Sequence, residues 1–352
     1  MLIVGWSFTN LCNLRCRHCY NASGKRSLNE LILSEAFKVA EKLKEAGVVA
    51  INFGGGECPL RKDFIPLCEY LKNSLDIKIS LTTNGTTLPL IEKHLELFHD
   101  IGVSIDFPDA EKHDWFRGVK GTFKKAISTL KFLVDNDVKT EVVTCITKLN
   151  CNEKILTKIF ELCKQLGVGS WRINRYRPTG RKEWIEELKL DKQTLRKAYQ
   201  FFANLNTINT TISISDPIFR AFTGVKGAFA GCPCGKFSFR IQANGEVTPC
   251  IYLKESGGNI KEKSVEEIMN SPIFVAIRNR KPLGKCSKCP AYPYCQGGCA
   301  GACYLEYGHF NGPDPLCFLE PSEAKPSNLE IPKEWNVHEL YLCTVYVPIN
   351  KK

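Results

Sequence analysis

The sequence predicts an α/β protein, a partial (β/α)6 barrel followed by a small cysteine-rich module with a β-hairpin, and three observations predict it. Over the first 176 residues, short β-rich apolar runs alternate with longer helical patterns, which is how consecutive βα units and a parallel sheet read in sequence. From Gly231 the composition turns to glycine and cysteine, too poor in large apolar side chains to bury a core of its own. The 352 residues, 43% of them hydrophobic, suffice for one large domain and a smaller one.

The strands follow in order: "LIVGWSFT" from Leu2, "VVAINFGG" from Val48, "IKISLTTNG" from Ile77, "VSIDF" from Val103, "KTEVVTCIT" from Lys139 and "SWRINRY" from Ser170. Between them "LSEAFKVAEKLKEAG" reads as a helix with Ser34 as N-cap, ending on Gly47, and "GTFKKAISTLKFLVDN" has amphipathic helical spacing. Six units fall short of the eight of a closed TIM barrel, but an incomplete TIM-like barrel still collects its functional residues at the C-terminal ends of its strands. Every chemically unusual loop falls there: "CNLRCRHC", "GGGECP", "TTNGT" and "NRYRPTGR" follow strands one, two, three and six. A further helix is expected near Asp191 to Leu205, and then two short strands joined through Asn244-Gly245, a strong hairpin signal. The second module runs to Cys317, held together by metal, and the tail from Glu320, with four prolines up to Pro348, reads as an extended covering segment. The expected division is a barrel over 1–210, the cysteine-rich module over 211–325 and a tail over 326–352.

Composition narrows the function. No run approaches 18 apolar residues, and "MLIVGWSFTN" has neither a basic region nor a small-residue cleavage site, so a cytoplasmic chain with no membrane span is expected. A reducing cytoplasm does not sustain disulfides, which leaves metal binding or catalysis as the use for 18 cysteines. Twelve are clustered, at 12–19 and 232–317; Cys58, Cys68, Cys145, Cys151, Cys163 and Cys343 are scattered and read as small buried hydrophobes. The net charge of +11 suits an acidic partner, and without any nucleic-acid module signature a carboxylate-bearing substrate is expected rather than nucleic acid.

Cys12-x3-Cys16-x2-Cys19 offers three soft ligands from one loop, one short of a closed site. Spacing alone leaves open a zinc ion completed by a distant ligand or a cluster with one corner free. Glycines 54, 55 and 56 allow close backbone approach, and Glu57 can accept a hydrogen bond. Arg172, Arg175, Arg177, Arg181 and Lys182 form a dense cationic run, either a solvated face or, through "RPTGR", a bidentate clamp on substrate carboxylates. A second set, Cys286-x2-Cys289-x5-Cys295-x3-Cys299, is preceded by Gly245-x4-Cys250 and followed by Cys317. With Cys232 and Cys234 it makes eight, and Cys303 is left over. Two four-cysteine zinc sites would also account for it.

The three-cysteine loop, with His18 before its last cysteine, resembles the signature of the radical S-adenosylmethionine (SAM) superfamily, and the second set resembles that superfamily's SPASM domain. The resemblance implies that Cys12, Cys16 and Cys19 hold a catalytic [4Fe-4S] cluster whose fourth iron is chelated by SAM. It implies further that Gly55, Gly56 and Glu57 meet the methionyl amine, with Cys58 where the family usually has proline. Thr83, Asn84 and Ser104 are then expected near the ribose and Arg172 near the SAM carboxylate or adenine. Two auxiliary [4Fe-4S] clusters are implied, an inner one on Cys232, Cys234, Cys250 and Cys299, with Cys303 as an alternative to Cys299, and an outer one on Cys286, Cys289, Cys295 and Cys317.

The chemistry so implied is reductive cleavage of SAM to a 5′-deoxyadenosyl radical and abstraction of hydrogen from a substrate, with an electron supplied by a low-potential donor such as ferredoxin or flavodoxin. Oxidative modification or crosslinking of a peptide or protein side chain is the preferred expectation. Tetrapyrrole side-chain chemistry is the alternative, because "RYRPTGR", "GNIKEKSVEEIMNSPIF" and "YGHFNGPDPLC" resemble heme-synthase-like members. Sulfatase maturation is disfavoured, since Ile251 follows Cys250 where those enzymes carry Asp. Because the sequence starts directly at strand one, a peptide is expected to need a separate leader-binding protein or to bind through the second module. Tyr252 is a candidate relay or a packed tyrosine. A non-enzymatic iron–sulfur carrier or zinc scaffold is the reading from a different class.

Overall fold

The apolar runs come together as one sheet in a computed structural model that describes residues 2–205, 207, 210–227, 229–329 and 344–347. The six expected strands are β1 Leu2–Trp6, β2 Val48–Phe53, β3 Lys78–Thr83, β4 Asp100–Ser104, β5 Thr140–Ile146 and β6 Ser170–Arg175, all parallel and in chain order. The sheet continues past them. β7 Thr211–Ser215 pairs parallel with β6, and β8 Ser238–Ile241 pairs parallel with β1. Antiparallel strands finish both ends, β9 Glu246–Thr248 and β10 Gly258–Asn259 beyond β8, and β11 Thr344–Tyr346 on β7. The order is β10-β9-β8-β1-β2-β3-β4-β5-β6-β7-β11, so segments from the cysteine-rich half and the tail are built into the barrel wall.

The β8–β9 hairpin turns at Gly245, whose φ of 89° is the left-handed conformation that the Asn-Gly signal anticipates. The fourth strand begins at Asp100, earlier than the apolar run from Val103, because His99 N and Ile101 N already donate to the neighbouring strands' carbonyls. The first helix is Leu33–Glu45, and its N-cap is Ile32 rather than Ser34. Glu35, at the third helical position, reaches back to accept from Ile32 N at 3.0 Å, which satisfies the N–H of the N-cap itself and places Ser34 inside the first turn. The helices Thr122–Asp135 and Lys192–Asn204 lie where the periodicity places them.

An aromatic cluster supports the two loops that matter most. Trp6 stacks on Phe53 at 5.8 Å and Phe53 meets Phe64 edge-on at 5.1 Å, directly beneath the ends of β1 and β2. Above it, the buried Glu30 carboxylate accepts from Thr9 Oγ1 at 2.8 Å and Asn10 N at 2.7 Å, fixing the path into Cys12. Of the tail, 326–329 and 344–347 are described and line β7 and its neighbours; Cys343, Pro332 and Pro348 lie outside the described residues. No helix among the described residues is long and apolar enough to cross a membrane.

Candidate functional site

The loops at the C-terminal strand ends enclose a cavity of about 190 Å³ whose wall includes Cys12, Cys16, Cys19, Glu57, Ser104 and Arg172. Gly55, Gly56, Thr83 and Asn84 line it as well, so all the residues expected around SAM share one space.

The cysteine loop is held by main chain from three directions. Cys12 N donates to Gly24 O at 2.8 Å; Arg15 N and Arg17 N donate to Arg117 O and Phe116 O at the end of the helix Ala110–Arg117. From the loop after β6, Arg181 N donates to Cys19 O at 2.9 Å, and the Arg181 guanidinium donates to Cys16 O at 3.0 Å and Ser23 O at 2.9 Å. This approach requires glycine at 180, where a Cβ would lie 2.2 Å from Cys19 O. Each thiol sulfur accepts one hydrogen bond: Cys12 from Leu14 N, Cys16 from Arg117 Nη1 and Cys19 from Ser23 N. Burial pushes the Cys12 thiol up to about 12 and the Cys16 thiol up to about 11, so a soft metal centre binding there must displace protons.

Gly55 and Gly56 are required by contact between loops. A Cβ on Gly55 would sit 2.3 Å from Ser7 Oγ and one on Gly56 2.3 Å from Leu11 O, while Gly56 N and Glu57 N donate to Thr9 O and Leu11 O. A Cβ on Gly54, by contrast, would meet nothing closer than 3.8 Å, so this glycine leaves open space at the cavity. The Glu57 carboxylate is buried and fastens the third loop to the second, accepting from Thr83 Oγ1, from Thr87 Oγ1 at 2.5 Å and from Asn84 N at 3.0 Å. Burial raises its pKa against the pull of those donors. Asn84 Nδ2 donates to Asn13 Oδ1 at 3.0 Å, which ties this assembly back to the cysteine loop.

The arginines of the cationic run, the "RPTGR" pair expected to clamp substrate among them, are engaged inside the protein. Arg181 clamps the cysteine loop, as described. Arg172 pairs with Glu141 at 3.3 Å, and Arg175 with Asp216 at 3.1 Å and Asp314 at 2.7 Å. Arg177 donates to Cys299 Sγ at 3.1 Å and lies over the Tyr252 ring at 4.8 Å. The physical reason is burial: guanidinium groups at strand ends lose water and must find acceptors within the fold.

The second cysteine set forms two groups. Cys286, Cys289, Cys295 and Cys317 line one cavity of about 30 Å³. Cys234 is in hydrogen-bonding contact with Cys232 and Cys250, and Cys299 interacts electrostatically with Cys232 and Cys250. Cys303 stands apart, its sulfur 3.2 Å from His309 O and 3.1 Å from Gly312 O. Among the described residues no three His, Cys, Asp or Glu side chains converge as ligands of a single ion, and all seventeen described cysteines are free. Thiols gathered in this way suit soft metal centres such as iron–sulfur clusters.

Several residues of the site were given no part in it from the sequence. Asp106, just past β4, pairs with Arg117 at 2.6 Å and accepts from Cys145 N at 2.9 Å. His18 stacks on Phe116 at 4.4 Å and is held neutral, its pKa lowered to about 3 by burial. Cys145 faces the cavity from β5, unlike the packed Cys68, Cys151 and Cys163, and Arg240 enters from β8, donating to Ser7 Oγ and Tyr20 Oη. Position at a strand's C-terminal end was the signal available for Asp106 and Cys145; Arg240 needed the pairing of β8 with β1.

The family profile of the radical SAM superfamily matches residues 6–163, and that of the SPASM iron–sulfur cluster-binding domain matches residues 232–290. The AdoMet-dependent heme synthase of Methanosarcina barkeri is 29% identical over 91% of this chain and 97% of its own. Mycofactocin maturase MftC of Mycolicibacterium smegmatis is 30% identical over 92% of this chain and 86% of its own. A crystal structure of Streptococcus suis SuiB bound to S-adenosylmethionine superposes with a TM-score of 0.74, covering 90% of this chain and 77% of SuiB at 19% identity. With the cysteine loop at the mouth of a parallel sheet and the grouped cysteines behind it, the chain belongs to the radical SAM superfamily and carries a SPASM iron–sulfur domain.

Proposed function

We propose that the protein is a cytoplasmic radical SAM oxidoreductase that modifies or crosslinks a peptide or protein side chain. The observation that carries the proposal is the convergence of Cys12, Cys16 and Cys19 with Glu57 and Arg172 on one cavity. In this reading Cys12, Cys16 and Cys19 hold the catalytic cluster, and Gly55, Gly56, Glu57, Thr83, Asn84, Ser104 and Arg172 surround SAM. Cys232, Cys234, Cys250 and Cys299 hold an inner auxiliary cluster, and Cys286, Cys289, Cys295 and Cys317 an outer one. When bound, the cluster and SAM supply cleavage of the C5′–S bond and the 5′-deoxyadenosyl radical that takes hydrogen from substrate. The protein's part is positional: Arg181 and Glu57 hold the loops in register, and the strand-end cavity excludes water around the target C–H bond.

A peptide is favoured over a tetrapyrrole by the state of the cavity's arginines. Arg117 and Arg172 are matched by Asp106 and Glu141, Arg175 by two aspartates, and Arg177 is engaged by Cys299 and Tyr252. A propionate taking Arg117, Arg172 or Arg175 would have to displace a buried ion pair, a cost that an uncharged side chain does not meet on entry. The proposal includes the division at 210 and 325, a ferredoxin- or flavodoxin-type donor, and a separate leader-binding protein for a peptide substrate.

The test is anaerobic reconstitution followed by dithionite and SAM, with 5′-deoxyadenosine measured beside a Cys16→Ala variant. Deoxyadenosine from the wild type that falls to background in the variant is expected; none from a protein with full iron and sulfide, with candidate peptides and a porphyrinogen supplied, would leave a non-enzymatic iron–sulfur protein. Mass loss in a peptide separates the two substrate classes from mass loss in the porphyrinogen.

A further inference from the structure

Among the described residues, Arg117 is the arginine that donates to a cysteine sulfur of the first loop. Its Nη1 lies 3.7 Å from Cys16 Sγ, and its Nη2 pairs with Asp106 Oδ2 at 2.6 Å. The geometry is fixed from both ends. Arg117 closes the helix Ala110–Arg117, whose terminal carbonyls accept from Arg15 N and Arg17 N of the cysteine loop. Gly118 follows with φ 77° and so close to Arg15 that a Cβ would lie 2.6 Å from its carbonyl oxygen. Arg17 in turn lies between the rings of Trp115 and Trp184, at 4.1 and 4.3 Å, which pins the same loop to the same helix. Asp106 is buried completely and spends its other oxygen on Cys145 N, so the guanidinium cannot swing away without leaving a carboxylate uncompensated.

We infer that Arg117 is a positioning residue that tunes the catalytic cluster through Cys16, its N–H donation to the thiolate raising the cluster's reduction potential, with Asp106 holding the guanidinium in place. This rests on the reading of Cys12, Cys16 and Cys19 as cluster ligands. A hydrogen bond from a cation withdraws charge from a ligating sulfur and stabilises the reduced state, and cluster potentials respond to such bonds and to nearby charge. The bond also orients Cys16, as outer partners of metal ligands do. The step tuned is the one-electron reduction by an external low-potential donor that precedes any cleavage of SAM, so no bond changes in it.

The experiment is a redox titration followed by electron paramagnetic resonance on the anaerobically reconstituted full chain, read on the part of the reduced signal that added SAM perturbs. Arg117→Met alone leaves Asp106 buried and unpaired, so it is paired with the double variant Arg117→Met/Asp106→Asn, and Arg117→Lys tests rescue. With iron and sulfide equal to wild type, the expected result is a more negative midpoint in the double variant, an intermediate one in Arg117→Lys, and less SAM-sensitive signal at a fixed potential. A midpoint and line shape identical to wild type in the double variant and in Arg117→Lys would overturn the inference. A wild-type protein with full iron and no SAM-sensitive signal would instead overturn the cluster assignment on which it rests.

Discussion

Cys299 and Cys303 show what a sequence can and cannot say about a single residue. Both fall in an x3 rhythm and are indistinguishable by spacing, yet their sulfurs behave oppositely in the fold. Cys299 Sγ accepts from Arg177 Nε at 3.1 Å and Ala302 N at 3.4 Å, the surroundings of a thiolate, whereas Cys303 Sγ faces two carbonyl oxygens, to which only a protonated thiol can donate. Cys303→Ala is therefore expected to keep the wild-type iron and sulfide content after reconstitution, and Cys299→Ala to lose up to about 4 irons per chain, the content of one cube-type cluster. Equal retention by both would reverse the assignment. The same limit applies to the cationic run from Arg172 to Lys182. Its density was legible, but whether each guanidinium meets a substrate or a buried aspartate depends on residues such as Asp216 and Asp314, which are distant in sequence.

At the scale of elements, legibility follows how locally each one is specified. β1 to β6 were readable because each is an apolar run bounded by polar loops and, except between β3 and β4, where only the short turns Leu88–Leu90 and Leu95–Leu97 intervene, followed by helical sequence; the β8–β9 hairpin was readable because Asn244-Gly245 encodes its turn. β8 and β11 have no such local return, and β7, although the helix Lys192–Asn204 precedes it, is too short a run to stand out. They are three to five residues long, and β8 takes its place beside β1, a partner more than two hundred residues away. The cap expected at Ser34 failed because the helix already starts at Leu33, with Glu35 accepting from Ile32 N, which leaves Ser34 inside the first turn. Where the cap residue is an aspartate ahead of a clear apolar stripe, sequence and structure agree: Asp191 accepts from Thr194 N at 2.8 Å at the start of Lys192–Asn204. Asp191→Ala should cost about 1 kcal/mol in anaerobic urea unfolding. The cap's hydrogen bonds lower the Asp191 pKa, so this contribution is complete above the ordinary carboxylate range of about 4 and fades as pH falls through the lowered value. A difference between wild type and variant that persists unchanged well below that range would show that the cap is not the cause.

For the molecule as a whole, the cysteine-rich half is wired into the barrel by more than chain continuity. β8 to β10 extend the sheet on one side, and on the other a buried triad joins the ends of β6 and β7 to the loop before Cys317: Arg175 with Asp216 at 3.1 Å and with Asp314 at 2.7 Å. Asp314 also accepts from Cys299 N at 2.9 Å and Leu316 N at 3.0 Å, so one carboxylate organises both the barrel's arginine and the main chain between the two cysteine groups. Removing it leaves Arg175 buried with half its compensation and two main-chain donors without acceptors. Asp314→Ala is thus expected to destabilise the whole chain by about 3–5 kcal/mol, the cost of breaking a buried pair from one side. The damage should appear as one cooperative transition at lower denaturant, followed in parallel by far-ultraviolet circular dichroism and by the visible absorption of the reconstituted clusters. If instead the visible signal is lost early while the far-ultraviolet transition stays at its wild-type midpoint, the barrel folds independently of its cysteine-rich half, and the shared sheet is a contact rather than a common core.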